Sequence, residues 1–149
     1  MADKLQFELV SPERLLLSEP VGMVVVPGTE GNFGVLPGHA LFISAVRPGV
    51  VNVYENGLPI VTGRIFVSGG FAEVTPERCI VLVDEALPIS SLDRVAIEGE
   101  ARKLESTAAG LKNRLSRVFG DERYVIARDL AATERSLAVA HAKLETLAV

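Results

Sequence analysis

The chain has no tryptophan, one cysteine and two histidines in 149 residues, and aromatic residues make up only 5% of it. A core built from this composition must be aliphatic. The lone cysteine, Cys79, can close no internal disulfide. Inside "CIVLVDEA" it reads as a reduced strand residue facing a core, which sets a cytoplasmic default. Two scattered histidines and that cysteine make no metal-ligand spacing. Long apolar runs are missing too: the longest are pieces such as "MVVV" and "CIVLV", against the ~18 residues that a bilayer span needs. The start, "MADKLQFELV", alternates polar and apolar residues and reads as neither a signal peptide nor a transit sequence. Basic clusters are absent as well. Residues 1–88 hold five Lys/Arg against ten Asp/Glu, net −5, and residues 89–149 hold ten against nine, net +1. Neither half carries a nucleic-acid footprint.

What is present is a globular composition, 48% hydrophobic and 23% charged, sized for one large domain or a medium one with an appendage. It is written in two periods. In "KLQFELV", Leu5, Phe7 and Leu9 alternate with polar residues, as in a half-buried strand. "VGMVVVP", "HALFISAV" and "GVVNVYE" continue the pattern, and Asn56-Gly57 predicts a type I′ hairpin. "LPIVTG", "RIFVSGGFAEV" and "CIVLVDEA" complete a series of short strands split by Gly/Pro/Asn turns, an antiparallel sandwich or barrel. Gly69-Gly70 within it reads as a hairpin turn, or as a bulge or close backbone approach inside one strand.

The period changes near Pro88. Ser90 with Asp93 three residues on resembles a capping box. Ile97, Ala101, Leu104, Ala108, Leu111, Leu115 and Val118 then follow at alternating spacings of 4 and 3, a heptad seam. "FGDE" breaks it, with Gly120 suited to a helix C-cap and Asp121 to the next N-cap. A second seam runs through Ile126, Leu130, Thr133, Leu137, Ala140, Leu144 and Leu147. So short a linker folds the two helices antiparallel. The predicted domains are 1–88, a β-sandwich, and 89–149, a helical hairpin marginal enough alone to dock reversibly.

Chemistry is harder to find. "PGTEGNFGVLPGH", residues 27–39, packs four glycines and two prolines into thirteen positions. It lacks the closing Gly-Lys-Ser/Thr of a phosphate loop, the chain having no lysine between Lys4 and Lys103, and it lacks the spacing and following helix of a dinucleotide site. Phe33, Val35 and Leu36 among the glycines point instead to a contact-making loop. His39 has no nucleophile or paired carboxylate near it, so it reads as a turn residue or interface donor, and His141 as a solvated helix flank. The arginines of residues 89–149 alternate with carboxylates, as on solvated helix faces, with a minority free to meet an acidic partner. The residues alone describe a non-enzymatic interaction subunit.

Taken in order, "FELVSPERLLLS", "PGTEGNFGVLPGHA", "RPGVV" and "VSGGFAEV" resemble the epsilon subunit of bacterial F-type ATP synthase, whose mitochondrial equivalent is called delta. The resemblance covers the whole chain. It implies a ten-stranded antiparallel β-sandwich followed by an antiparallel two-helix hairpin, without catalytic residues or cofactor. It also implies a place in the rotating central stalk, bound to the gamma subunit and the c-ring, and so at the cytoplasmic face of the inner membrane without entering it. By position, Glu30, Gly31, Asn32, Phe33 and His39, with Gly69 and Gly70, fall to these partners. Asn32 stands where relatives usually have an acid, and Leu41 where they often have proline. In the family the hairpin can extend and inhibit hydrolysis, its basic side chains meeting the alpha/beta subunits; Arg114, Arg117 and Arg123 take that part. Some members bind ATP at the folded hairpin through Ile/Leu-Asp-x-x-Arg-Ala. Here "LDRVAI" keeps Leu92 and Asp93 but puts Ala96 in the arginine position, leaving Asp93 and Arg102 as the residues offered to a nucleotide. The competing expectation is a nucleotide-sensing module whose hairpin opens and closes on ATP.

Overall fold

A computed structural model describes residues 3–148. The chain divides between Ser91 and Leu92 into two compact units. The first contains ten strands: β1 (Leu5–Val10), β2 (Leu15–Val21), β3 (Met23–Gly28), β4 (Gly31–Val35), β5 (Phe42–Val46), β6 (Gly49–Tyr54), β7 (Gly63–Val67), β8 (Gly70–Val74), β9 (Arg78–Val83) and β10 (Ala86–Pro88). Their order is β10-β7-β6-β3-β5-β8-β9-β1-β2, with β4 added to β3. The two halves join through one residue pair, Gly28 opposite Val46. At that weak seam the sheet folds over, and side chains of both halves share one core that includes Leu5, Phe7, Val24, Val26, Val51, Val74 and Val81.

β1 shows how the sequence dictates this. Leu5, Phe7 and Leu9 are buried while Gln6, Glu8 and Val10 between them are partly exposed, the alternation a pleated strand imposes. Cys79 is fully buried among the same core residues. Burial in apolar surroundings pushes its thiol up to about 12.

Three expectations need correction here. The sandwich is not wholly antiparallel: β1 pairs with β9 in parallel. The long stretch of chain between them supplies the crossover that parallel neighbours require. Asn56-Gly57 is not a type I′ hairpin, because no residue other than glycine has positive φ among the described residues. Gly57 N donates to Tyr54 O at 3.1 Å, and the chain then loops to Gly63 without forming a strand over "LPIVT". Pro59 has no amide hydrogen to give a ladder, and Leu58 and Ile60 are exposed. Third, Gly69-Gly70 is neither a hairpin turn nor a bulge within one strand. β7 pairs with β6 and β10, whereas β8 pairs with β5 and β9, so the glycines carry the chain from one half of the sheet to the other. The close-approach alternative describes them best: a Cβ on Gly70 would stand 1.8 Å from Leu82 O.

The second unit is two helices, α1 (Arg94–Leu115) and α2 (Asp121–Leu147). They run antiparallel, since Arg94 Nη2 donates to Leu147 O at 2.7 Å and His141 Nε2 lies 3.2 Å from Glu105 Oε1. Both heptad seams face inward, with Ile97, Ala101, Ala108, Ile126, Leu130 and Ala140 buried. The caps differ from expectation. Asp93, not Ser90, caps α1, its carboxylate accepting from Val95 N and Ala96 N; an ionised acceptor at the positive end of a helix outcompetes a hydroxyl three residues earlier. Ser116 is the C-cap of α1, and Gly120 is the N-cap of α2 rather than the C-cap of α1. Asp121 and Glu122 then occupy the first turn of α2, where carboxylates suit the helix dipole.

Candidate docking surfaces

Residues 27–39 are mostly hairpin, not loop. β3 and β4 pair from Val24 opposite Val35 to Gly28 opposite Gly31, leaving Thr29 and Glu30 as a two-residue tip. Thr29 N donates to Ala45 O and Arg47 N to Pro27 O. The Arg47 side chain reaches back, with Nη1 donating to Gly28 O at 2.5 Å and Nη2 to Asn32 Oδ1 at 2.7 Å. The hairpin is followed by a tight turn in which His39 N donates to Leu36 O. Pro37 presets the first corner and Gly38, at φ +86°, supplies the left-handed second corner of a type II turn. That turn brings His39 within 6.1 Å of the Phe42 ring, which meets Phe33 edge-on at 5.1 Å. The His39 Nδ1 lies 2.6 Å from Ala40 O, a contact that places the proton on Nδ1. Glu30, Gly31 and Asn32 thus form the tip and its flank, while Phe33 and His39 belong to an aromatic cluster beside them. Leu36, Leu41 and Ile43 are exposed around it.

Gly69 and Gly70 help to line a second feature, an open groove of about 300 Å³ bounded by Val10, Pro12, Phe71, Leu82, Val83 and Asp84. Its apolar wall is part of a larger pattern. Ala45, Phe71, Leu82, Val10 and Leu15 occupy one register row across β5, β8, β9, β1 and β2. All five face away from the core, and Phe71 (60%), Leu82 (48%) and Leu15 (54%) are exposed large apolar side chains. Contiguous exposed apolar surface of this kind marks docking. The sequence reading missed this row. A signal was there: "FISAV" and "CIVLV" are apolar on both pleat faces, as in a strand covered on two sides.

On the helical unit, the offered nucleotide ligands do not converge. The Asp93 carboxylate is engaged as a cap. Arg102 lies nine residues on, roughly 13 Å along the axis and on the opposite face of α1. Arg94, the nearest cation in sequence, is turned to Leu147 O. Arg114, Arg117 and Arg123 surround the inter-helix turn, Arg123 donating to Leu115 O. Phe119 (88% exposed) and Tyr124 (72%) stand out from the same turn.

A sandwich and a helix pair whose distinctive features are exposed apolar rows and projecting turns define a docking subunit. The comparisons give that class a family. The family model described as "ATP synthase, Delta/Epsilon chain, beta-sandwich domain" matches residues 4–89. An ATP synthase epsilon chain of Rhodospirillum centenum is 49% identical over 138 residues, 92% of each chain. One from Rhodospirillum rubrum is 47% identical over 135 residues, covering 91% of this chain and 99% of the relative. In a mitochondrial ATP synthase from Euglena gracilis, a chain superposes over 97% of this one and 81% of its own length, with TM-score 0.72 and 19% identity, which shows the shared fold. The chain belongs to the ATP synthase delta/epsilon family.

Proposed function

We propose that this chain is a non-catalytic rotor subunit of an F-type ATP synthase, fastening the gamma subunit to the c-ring. The observation that carries the reading is the register row Ala45–Phe71–Leu82–Val10–Leu15, an apolar band on the outside of a sheet whose inside is already a complete core. Such a face is suited to a broad, lasting interface, and gamma is the partner it fits. The β3–β4 tip, small, polar and projecting, suits the short polar loops of a ring instead, so two partners take two different parts of one rigid unit. A sandwich knitted by nine strand pairings can transmit torque without shearing, which is what coupling demands of it. The chain then works at the cytoplasmic face of the bacterial membrane as a peripheral subunit; no described helix is long and apolar enough to cross one.

The helical unit, on this reading, is a regulatory arm. Its seam contains Ala101, Ala108, Ala140 and Thr133, which bury less than leucines would and leave the hairpin thinly held. Arg114, Arg117 and Arg123 at the turn are the side chains to meet acidic surfaces of the alpha/beta subunits. On this reading the folded hairpin needs no ATP: the Asp93 cap and the Arg94–Leu147 bond within it use the chain's own groups, and Ala96 offers a nucleotide no guanidinium.

The test is reconstitution with gamma and the c-ring. Phe71→Glu with Leu82→Glu, both on exposed positions, should abolish the gamma complex while the far-ultraviolet circular dichroism spectrum is retained. Enzyme lacking the chain should hydrolyse ATP without pumping. Unchanged gamma binding by the folded double variant would overturn the assignment of that face.

A further inference from the structure

The motif "RPGVV" enters the surfaces above only through its first residue, the brace of the β3–β4 hairpin. β5 touches β3 at one pair only, Gly28 opposite Val46. Beyond that pair β5 gives the tip no ladder partner, only one backbone bond from Thr29 N to Ala45 O, and the turn is entered and left through glycines, Gly31 at φ +127°. The side chain that crosses to it is that of Arg47. One nitrogen of its guanidinium donates to Gly28 O at the base of the tip and the other to Asn32 Oδ1 on the returning strand. Its own backbone N donates to Pro27 O, so three bonds from one residue meet the hairpin. Pro48 restricts Arg47 to extended backbone, and the planar fork spans two acceptors where an ammonium would hold one. Among the described residues no carboxylate lies within ion-pair distance of Arg47.

We propose that Arg47 is the positioning residue of the docking hairpin: by clamping Gly28 O and Asn32 Oδ1 it holds the Thr29–Glu30 tip in the one orientation presented to a partner. The proposal rests on the reading of that tip as the element that meets the c-ring. Its two parts separate experimentally.

Hydrogen exchange on the full-length chain tests the clamp without any partner. Arg47→Ala should accelerate exchange across residues 29–32 about tenfold or more, the effect of losing hydrogen bonds from a charged donor, while β1 and β9 keep wild-type protection. Arg47→Lys should restore part of it. Asn32→Ala, which removes one arm and leaves Arg47 in place, should produce a smaller acceleration, and Asn32→Asp, which makes the contact an ion pair, should slow exchange below wild type. Association with the c-ring then tests the docking role: Arg47→Ala should weaken it about tenfold with gamma affinity unchanged. Wild-type exchange at 29–32 in both Arg47→Ala and Asn32→Ala would overturn the clamp. Faster exchange with unchanged ring association would keep the clamp and overturn the docking reading.

Discussion

Replacing Gly70 by alanine should be among the most damaging single changes the sandwich can suffer, and the structure says by how much. Gly70 has φ +152°, and an added Cβ would lie 1.8 Å from Leu82 O, 2.9 Å from Leu82 C and 3.2 Å from Val83 Cα. These are backbone atoms, so no side-chain rotation relieves them. To reach ordinary contact, β9 must retreat from β8 by roughly an ångström or more, which breaks ladder bonds where Gly70 lies between Val46 and Val83. The left-handed backbone costs about 1–2 kcal/mol, and two or three lost hydrogen bonds add about 1 kcal/mol each, about 3–5 kcal/mol together. In a unit of this size that lowers the melting temperature by about 15–30 °C. The internal control is Gly57→Ala: φ is +82° there, but nothing lies within 4 Å of the new methyl, so only the backbone term of about 1 kcal/mol remains. With no tryptophan to report unfolding, Cys79 serves instead, being the only thiol and fully buried in β9. Its labelling in urea follows the sandwich and ignores the helices. If Gly70→Ala and Gly57→Ala shifted the midpoint equally, the close approach would not be what Gly70 is there for.

Cys79 makes a prediction of its own. With its thiol pushed from 9.0 to about 12 by desolvation, it stays protonated and silent to thiol reagents at pH 8 until the sandwich opens. Its folded pKa lies above the unfolded one, so its contribution is fully present below about pH 9 and is lost as pH rises toward about 12; the urea midpoint of wild type should fall over that window more steeply than that of Cys79→Ala. Asp93→Ala should lower hairpin stability, read by ellipticity at 222 nm, by about 0.5–2 kcal/mol, while Asp93→Asn keeps the cap and stays near wild type. Calorimetric titration with millimolar ATP should give no saturable heat, because the Asp93 carboxylate is engaged and Ala96 offers no guanidinium. A saturable isotherm would restore the sensor reading.

What was legible in the sequence follows from how local each interaction is. β1 and the two helical seams obey periods of 2 and 3.5, so Leu5, Phe7, Ile97 and Leu130 could be placed inside without knowing any partner. The parallel β1–β9 pairing has no local signature, because the two strands are far apart in sequence. "LPIVT", residues 58–62, has strand composition but forms none: its apolar residues face solvent and Pro59 cannot join a ladder. The helix cap was misplaced by three residues for a similar reason. Both Ser90 and Asp93 satisfy the pattern, and only the geometry of Val95 N and Ala96 N decides between them.

The candidate site was legible in a different measure, and the reason lies in the kind of function. A catalytic centre advertises itself through residue types whose ordinary place is elsewhere: paired carboxylates, a base beside a nucleophile, a buried charge. Docking uses the residues a fold already contains. Phe71 and Leu82 differ from Val81 and Val83 only in which way the pleat turns them, and that direction depends on register with strands tens of residues away. The glycines could be seen because glycine is rare where a strand is expected, but their purpose differed from one to the next. Gly38 makes a corner, Gly70 lets two strands touch, and the hairpin glycines leave a tip that an arginine at position 47 must hold. The loop that first looks like a cradle for phosphate is therefore a small projection held by a clamp. Its chemistry is that of placement, and the residue that governs it lies fifteen positions beyond the Asn32 it holds.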